Sequence, residues 1–221
     1  MSTAPLPPQV VVLAGTNGAG KSSVAGQALR QAGSEYFNPD EATRRFRERY
    51  PELPLEEANS RAWRLGRLLL HQVIERRLRF AFETTLGGRT FAGLLMKAAN
   101  VGIPVRVWYV GLQSPELHIA RVRARVARGG HDVSEARIRS RYHSSRTNLM
   151  TLLPHLAELQ LHDNSREADP ASGGRPAPML VLHVKGGRIV DGCSLSDVPG
   201  WARPIVQTAL NTYGPPEAER P

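Results

Sequence analysis

Apolar side chains gather into five short runs along the chain, at residues 10–14, 79–82, 105–110, 159–162 and 180–184, with helix-length segments between them. A strand buried on both faces reads as a continuous apolar run, and two parallel strands need a crossover of a dozen or more residues between them. The pattern therefore predicts an α/β fold in three layers, a parallel sheet with helices on both faces. Between 55 and 79, Ala58, Ala62, Leu65, Leu69 and Val73 recur at helical spacing, which predicts a long amphipathic helix with its arginines on the other faces. Residues 164–178 are rich in Ser, Gly, Pro and charge, and read as a loop ahead of a final strand pair that turns at Gly186 and Gly187. One domain is expected over 9–213, with flexible tails at 1–8 and 214–221.

The residues after the first run change the picture most. Gly15, Thr16, Asn17, Gly18, Ala19, Gly20, Lys21 and Ser22 match the phosphate-binding loop (P-loop) pattern G-x-x-x-x-G-K-[ST], between a short apolar strand and a helix-compatible stretch at 22–31 that opens with Ser22 and Ser23. Backbone N–H groups in such a loop point inward around a phosphate chain, and Gly15, Gly18 and Gly20 permit the turn. Lys21 reaches the β- and γ-phosphates, and the Ser22 hydroxyl can ligate the Mg²⁺ that bridges them. ATP and Mg²⁺ are the expected ligands, on a P-loop NTPase scaffold.

Carboxylates at strand ends are the next signal, because ligands of open α/β sheets lie beyond the carboxyl ends of the strands. Asp40 follows a short second strand and could be the general base for an acceptor hydroxyl; a helix N-cap explains it equally well. Glu83, with Thr84 and Thr85 ahead of Gly87 and Gly88, forms a polar loop fit for substrate or metal. Its alternative is a cap, through Thr85 or Thr90, on a helix over 91–99. From 115 to about 150 the chain places Arg121, Arg125 and Arg128 on one helical face and Arg137, Arg141, Ser144 and Asn148 on another, joined by Gly129 and Gly130. Two arginine faces with a glycine hinge suggest a lid over transferring phosphate; a solvated charged helix pair is the plainer reading. Asn164, after the last parallel strand, is a candidate adenine contact or part of an ordinary turn.

Composition narrows the function. The 221 residues carry a formal charge of +9, but only three of the 29 basic residues are lysine and the arginines are dispersed. Aromatics make up 6%, without the interleaving of RNA-binding surfaces, so nucleic acid is an unlikely partner. The single cysteine, Cys193, excludes an internal disulfide, and neither a basic signal segment nor an apolar span is present, which suits the cytoplasm and no membrane. The seven histidines show no zinc spacing. No N-K-x-D sequence points to a guanine-specific switch.

In order, GTNGAGKSS at the first loop, NPDEA at 38–42, ETTLGG at 83–88, GGHDV at 129–133 followed by IRSRY, and HDNS at 162–165 resemble the zeta toxin family of P-loop kinases over about residues 9–165. The resemblance implies an enzyme, a phosphotransferase that moves the ATP γ-phosphate onto a hydroxyl of a small metabolite, which for the best-known toxins is UDP-N-acetylglucosamine. It also implies Lys21 and Ser22 as holders of phosphate and Mg²⁺, Asp40 as the catalytic base, Glu83 as an acid on the substrate or metal side, Arg128 and Arg141 as the lid's phosphate contacts, and an antitoxin protein as a candidate partner. A non-toxin metabolite kinase, and an ATPase or nucleotide-binding module, remain alternatives.

Overall fold

A computed structural model describes residues 7–21, 36–166 and 177–216. The expected helix at 22–31 with Ser22 and Ser23, the middle of the loop at 164–178, and most of the two expected tails lie outside the described residues.

Strand β1 (Gln9–Ala14) sits inside a seven-stranded sheet ordered β2-β3-β1-β4-β5-β6-β7, with β2 (Tyr36–Phe37), β3 (Arg79–Thr84), β4 (Val105–Gly111), β5 (Glu158–Asp163), β6 (Met179–Lys185) and β7 (Arg188–Gly192). The first five run parallel; β6 and β7 are antiparallel. Gly186 and Gly187 both take positive φ, 58° and 73°, in the hairpin between them, as their sequence suggests. The chain passes from β1 out to β2, returns to β3, and then crosses to β4 on the other side of β1. The end of β1 is therefore a switch point in strand order, where two crossovers diverge and leave a crevice.

Helices α1 (Pro39–Arg49), α2 (Leu55–Arg76), α3 (Arg89–Asn100), α4 (Pro115–Val126), α5 (Glu135–Leu152) and α6 (Arg203–Tyr213) complete the described fold. The main core joins Val10, Val12, Val105, Val107 and Tyr109 of the sheet to Leu70 and Val73 of α2, Leu95 of α3, Leu149 and Leu152 of α5, and Ile205 of α6. A second core on the opposite face gathers Val11, Leu13, Ala81, Val110 and Leu112 around Ala19. Burial on both faces is the reason β1 lacks alternation, whereas β4 alternates at its start, with Arg106 exposed, and is buried on both faces only from Tyr109 onward.

Helix α2 corrects the sequence expectation in detail. Its buried stripe runs Ala58, Ala62, Gly66, Leu70, Val73, Ile74, with Leu65 and Leu69 only half-buried. Packing sets this rotation: a Cβ at Gly66 would lie 2.6 Å from the Phe37 ring, so a bare backbone is what lets α2 close on β2. The helix stops at Arg76, three residues earlier than expected, because Arg77 adopts a left-handed conformation with φ 52°.

Candidate active site

The loop after β1 can be built only from the residues found there. A Cβ on Gly15 would lie 2.1 Å from the Val110 carbonyl oxygen, and one on Gly18 would lie 2.6 Å from that of His118. Gly15, Gly18 and Gly20 also hold φ values of 137°, 85° and 84°, which L side chains rarely adopt. The Lys21 ammonium is buried, donates to the Gly15 carbonyl at 2.7 Å, and lies 3.5 Å from the Glu83 carboxylate.

Glu83 connects this loop to the next element. Its Oε2 accepts from the Tyr36 hydroxyl at 2.8 Å and from Asn38 Nδ2 at 3.1 Å, while Oε1 faces Lys21. Asn38 is also the N-cap of α1, its Oδ1 accepting from the backbone N–H groups of Asp40 and Glu41. The cap reading of Asp40 is thereby corrected: Asn38 performs that task. Asp40 sits in the first turn, exposed, and its carboxylate makes no hydrogen bond or ion pair among the described residues.

The loop after β3 turns through its own hydroxyls. Thr84 Oγ1 accepts from Leu86 N–H at 3.0 Å and Thr85 Oγ1 from Gly87 N–H at 3.4 Å, with Leu86 at φ 53°. Neither Thr85 nor Thr90 caps α3; Gly88 stands at the N-cap with no side-chain bond. Three successive carbonyls, of Thr85, Leu86 and Gly87, accept from Ser145, Asn148 and Ser144 of α5. Helix α5 is thus bolted to the body of the domain through its second half.

Of the arginines, Arg141 reaches furthest in. It donates to Asn17 Oδ1 at 2.8 Å, and its own carbonyl accepts from Thr16 Oγ1 at 3.4 Å. Burial, then Arg137, lower its pKa, and the Asp40 charge opposes them. Arg121, Arg125, Arg128 and Arg137 line the same side. Gly129 and Gly130 end α4 in a Schellman arrangement: Gly130 N–H bonds the Arg125 carbonyl and Gly129 N–H that of Val126. A Cβ at Gly130 would lie 2.5 Å from Arg125 Cγ, so this glycine serves close packing as well as the turn. Asn164 donates to the Ala19 carbonyl at 2.9 Å and so braces the first loop from behind β5. Neighbouring Asp163 is buried and holds the Trp201 indole N–H at 2.8 Å, a structural duty.

Lys21, Asp40, Glu83, Arg128, Arg141 and Asn164 all line one cleft of about 1460 Å³ at the switch point. The family model described as Zeta toxin matches residues 2–167, three quarters of the chain. The chain belongs to the zeta toxin family. Its similarity to an uncharacterized protein of Haemophilus influenzae strain Rd is 29% identity over 134 residues, 61% of this chain and 92% of that one. This zeta toxin family member also shares its fold with a chain of the AvrRxo1-ORF1:-ORF2 complex solved with ATP (TM-score 0.59, 16% identity, 92% of this chain and 64% of that chain). A second match is the PezAT chromosomal toxin-antitoxin system of Streptococcus pneumoniae (TM-score 0.52, 14% identity, 80% and 75%). The chain spans a little under two thirds of the length of the AvrRxo1 chain. These likenesses establish a P-loop kinase fold.

Three residues at this zeta toxin family site escape sequence reasoning. Tyr36 and Asn38 aim Glu83 and cap α1; the pair Asn-Pro before an acidic first turn is the cap signal that could have found Asn38. His118 is fully buried, with Nδ1 2.8 Å from the Asn17 carbonyl, and so donates to the loop from α4. Burial, against that bond and helped by Lys21, pushes its pKa down to about 4. The unfolded chain, at about 6.5, takes up a proton that the folded chain refuses, so stability is lost as pH falls from about 6.5 towards 4 and is level above that window. The contribution is about 3 kcal/mol. In urea titrations between pH 7 and 4.5, His118→Asn should be less stable at pH 7 yet lose less on acidification. Curves that stay parallel would remove His118 from the acid response.

Proposed function

We propose that this protein is an ATP- and Mg²⁺-dependent kinase that moves the γ-phosphoryl group onto a hydroxyl of a small metabolite, with a nucleotide sugar such as UDP-N-acetylglucosamine as one candidate. The observation that carries the reading is a carboxylate, Asp40, with no hydrogen-bond or ion-pair partner among the described residues, in the same cleft as the loop at 15–21 and Lys21. Membership in the zeta toxin family supports phosphotransfer.

The loop residues 15–21 fit a polyphosphate: Gly15 and Gly18 let the loop turn left-handed while packed directly on the Val110 and His118 carbonyls, and an ammonium stands at its far end. Lys21 holds the β- and γ-phosphates, and Arg141, backed by Arg128, covers the equatorial oxygens as charge spreads. Asp40 accepts the acceptor's hydroxyl proton while the acceptor oxygen bonds the γ-phosphorus. The bond from that phosphorus to the β,γ-bridging oxygen breaks, and ADP departs with the electron pair. When bound, Mg²⁺ neutralises phosphate charge, and Glu83 and Ser22 are the oxygen donors this chain supplies for it. Among the described residues no group of three or more His, Cys, Asp or Glu could hold a metal, which suits an ion that rests largely on phosphate oxygens and water.

Cytoplasmic residence belongs to this reading; no described helix is long and apolar enough to cross a membrane. An antitoxin-type partner also belongs to it, since PezAT is a toxin-antitoxin system. The test is incubation with γ-labelled ATP, Mg²⁺ and a fractionated bacterial metabolite extract. Label in an organic acceptor is the expected result; label released only as inorganic phosphate would make the protein a nucleotide hydrolase instead.

A further inference from the structure

The P-loop pattern leaves its third position open to any residue, and this chain places Asn17 there. Two helices take hold of it. The backbone carbonyl of Asn17 accepts from His118 Nδ1 of α4, and its side-chain Oδ1 accepts from Arg141 Nη1 of α5, each at 2.8 Å. A guanidinium only donates, so the carboxamide has to turn its oxygen towards Arg141. The opposite end of the amide is thereby aimed as well. Asn17 Nδ2 makes no hydrogen bond among the described residues, and it is not among the buried side-chain atoms left without a partner, which are Arg125 Nε and His162 Nδ1. Asn17 lines the cleft and is otherwise buried, at 8% exposure, so its two unused N–H donors open there.

Arg141 is confined just as closely. Its stem crosses the loop after β3 where Gly87 leaves room, since a Cβ there would lie 2.7 Å from Arg141 Cγ. Ser144 donates to the carbonyl of that Gly87 at 2.9 Å, and Thr16 Oγ1 donates to the Arg141 carbonyl at 3.4 Å. The side chain therefore runs between the two loops, where the Asp40 charge acts on it. An arginine bonded to a neutral amide keeps its whole charge for an anion, whereas a carboxylate partner would neutralise it.

We propose that the Asn17 side chain reads the terminal phosphate of ATP: Nδ2 donates to a γ-phosphate oxygen while Oδ1 holds the Arg141 guanidinium against the same group. One side chain then contacts the substrate directly and positions the arginine beside it. ADP has no γ-phosphate for the amide to meet, so Asn17 favours the triphosphate over the diphosphate product. The inference rests on the kinase reading, and names what distinguishes donor from product within it.

Calorimetric titration of the full chain with ATP and with ADP, both in the presence of Mg²⁺, tests this alongside transfer of label from γ-labelled ATP to the metabolite extract. Asn17→Ala should weaken ATP binding about tenfold and ADP binding by less than about twofold. Its transfer rate at saturating ATP should fall by at least about tenfold, because Arg141 is no longer held. Asn17→Asp keeps the shape and the acceptor for Arg141 but meets the γ-phosphate with a negative charge. ATP affinity should then fall by about 10²-fold, again with little change for ADP. Combining Asn17→Ala with Arg141→Ala should lose less than the product of the two single losses, since one residue acts through the other. A merely structural brace would instead lower both affinities by the same factor, together with thermal stability. Equal losses for the two nucleotides, or none, would overturn this role and leave the kinase reading intact wherever label still reached an acceptor. If wild type bound neither nucleotide, both readings would fall together.

Discussion

Replacing Asp40 by asparagine should lower the rate of phosphoryl transfer by about 10²- to 10⁴-fold while the affinity for ATP stays within about a factor of two. The structure separates these two quantities. Asn38, and not Asp40, caps α1, and the Asp40 carboxylate has no bonding partner among the described residues, so the substitution disturbs neither the helix nor the loop that grips phosphate. What is lost is the capacity to take a proton, since a carboxamide has none of a carboxylate's basicity at neutral pH. Rapid-quench measurement of label transfer at saturating ATP, with calorimetric titration of ATP alongside, reads both. Transfer at the wild-type rate would remove Asp40 from the mechanism.

Lys21→Met should cost more, because one side chain serves two ends. Its ammonium is the cation placed for the β- and γ-phosphates, and its removal is expected to weaken ATP binding and to depress transfer by at least about 10²- to 10³-fold. It also leaves the Glu83 carboxylate, only 12% exposed, without the opposite charge 3.5 Å away. The single variant should therefore lose stability as well as activity. Adding Glu83→Gln separates the effects: the double variant should regain much of the lost denaturation midpoint, since the buried charge is gone, yet remain inactive. Wild-type nucleotide affinity in Lys21→Met would contradict the assignment of the loop to phosphate.

The expected strands and the observed ones coincide because their signals are local. Five apolar runs became β1, β3, β4, β5 and β6 with ends displaced by a residue or two, and the Gly186–Gly187 pair became the hairpin. Helix α2 shows the limit of periodicity. Both the expected stripe and the real one fit a helix, and the choice between Leu65 and Gly66 was made by Phe37, nearly thirty residues away. Helix α6 has no counterpart among the expected elements, and Trp201, just before it, depends on a bond to Asp163 and on the space that Gly111 leaves open.

The polar residues divide in the same way. Which groups cluster at strand ends was legible, since a P-loop after β1, an acid after β2 and an acid near the end of β3 follow from spacing alone. Which acid is available and which is engaged was not. Asn38, two residues before Asp40, takes the cap position by accepting from the N–H groups of Asp40 and Glu41, and which of the two residues caps is decided by side-chain geometry that a sequence does not display. The arginines were legible as faces, but only packing shows Arg141 bonded to Asn17 of the first loop.

By itself, then, the sequence determined the strands of the sheet, the P-loop pattern after the first of them, the family and the candidates for chemistry, all of which are read from residues close together in the chain. The tertiary structure decided the rest: that His118, Arg141 and Asn164 brace the loop across 101, 124 and 145 residues, that the Asp40 carboxylate makes no hydrogen bond or ion pair among the described residues, and that Trp63 lines the cleft. The physical reason is that burial, pairing and exposure are properties of neighbours in space. Periodicity constrains which face of a helix a residue occupies, but what meets that face is set only when distant segments pack.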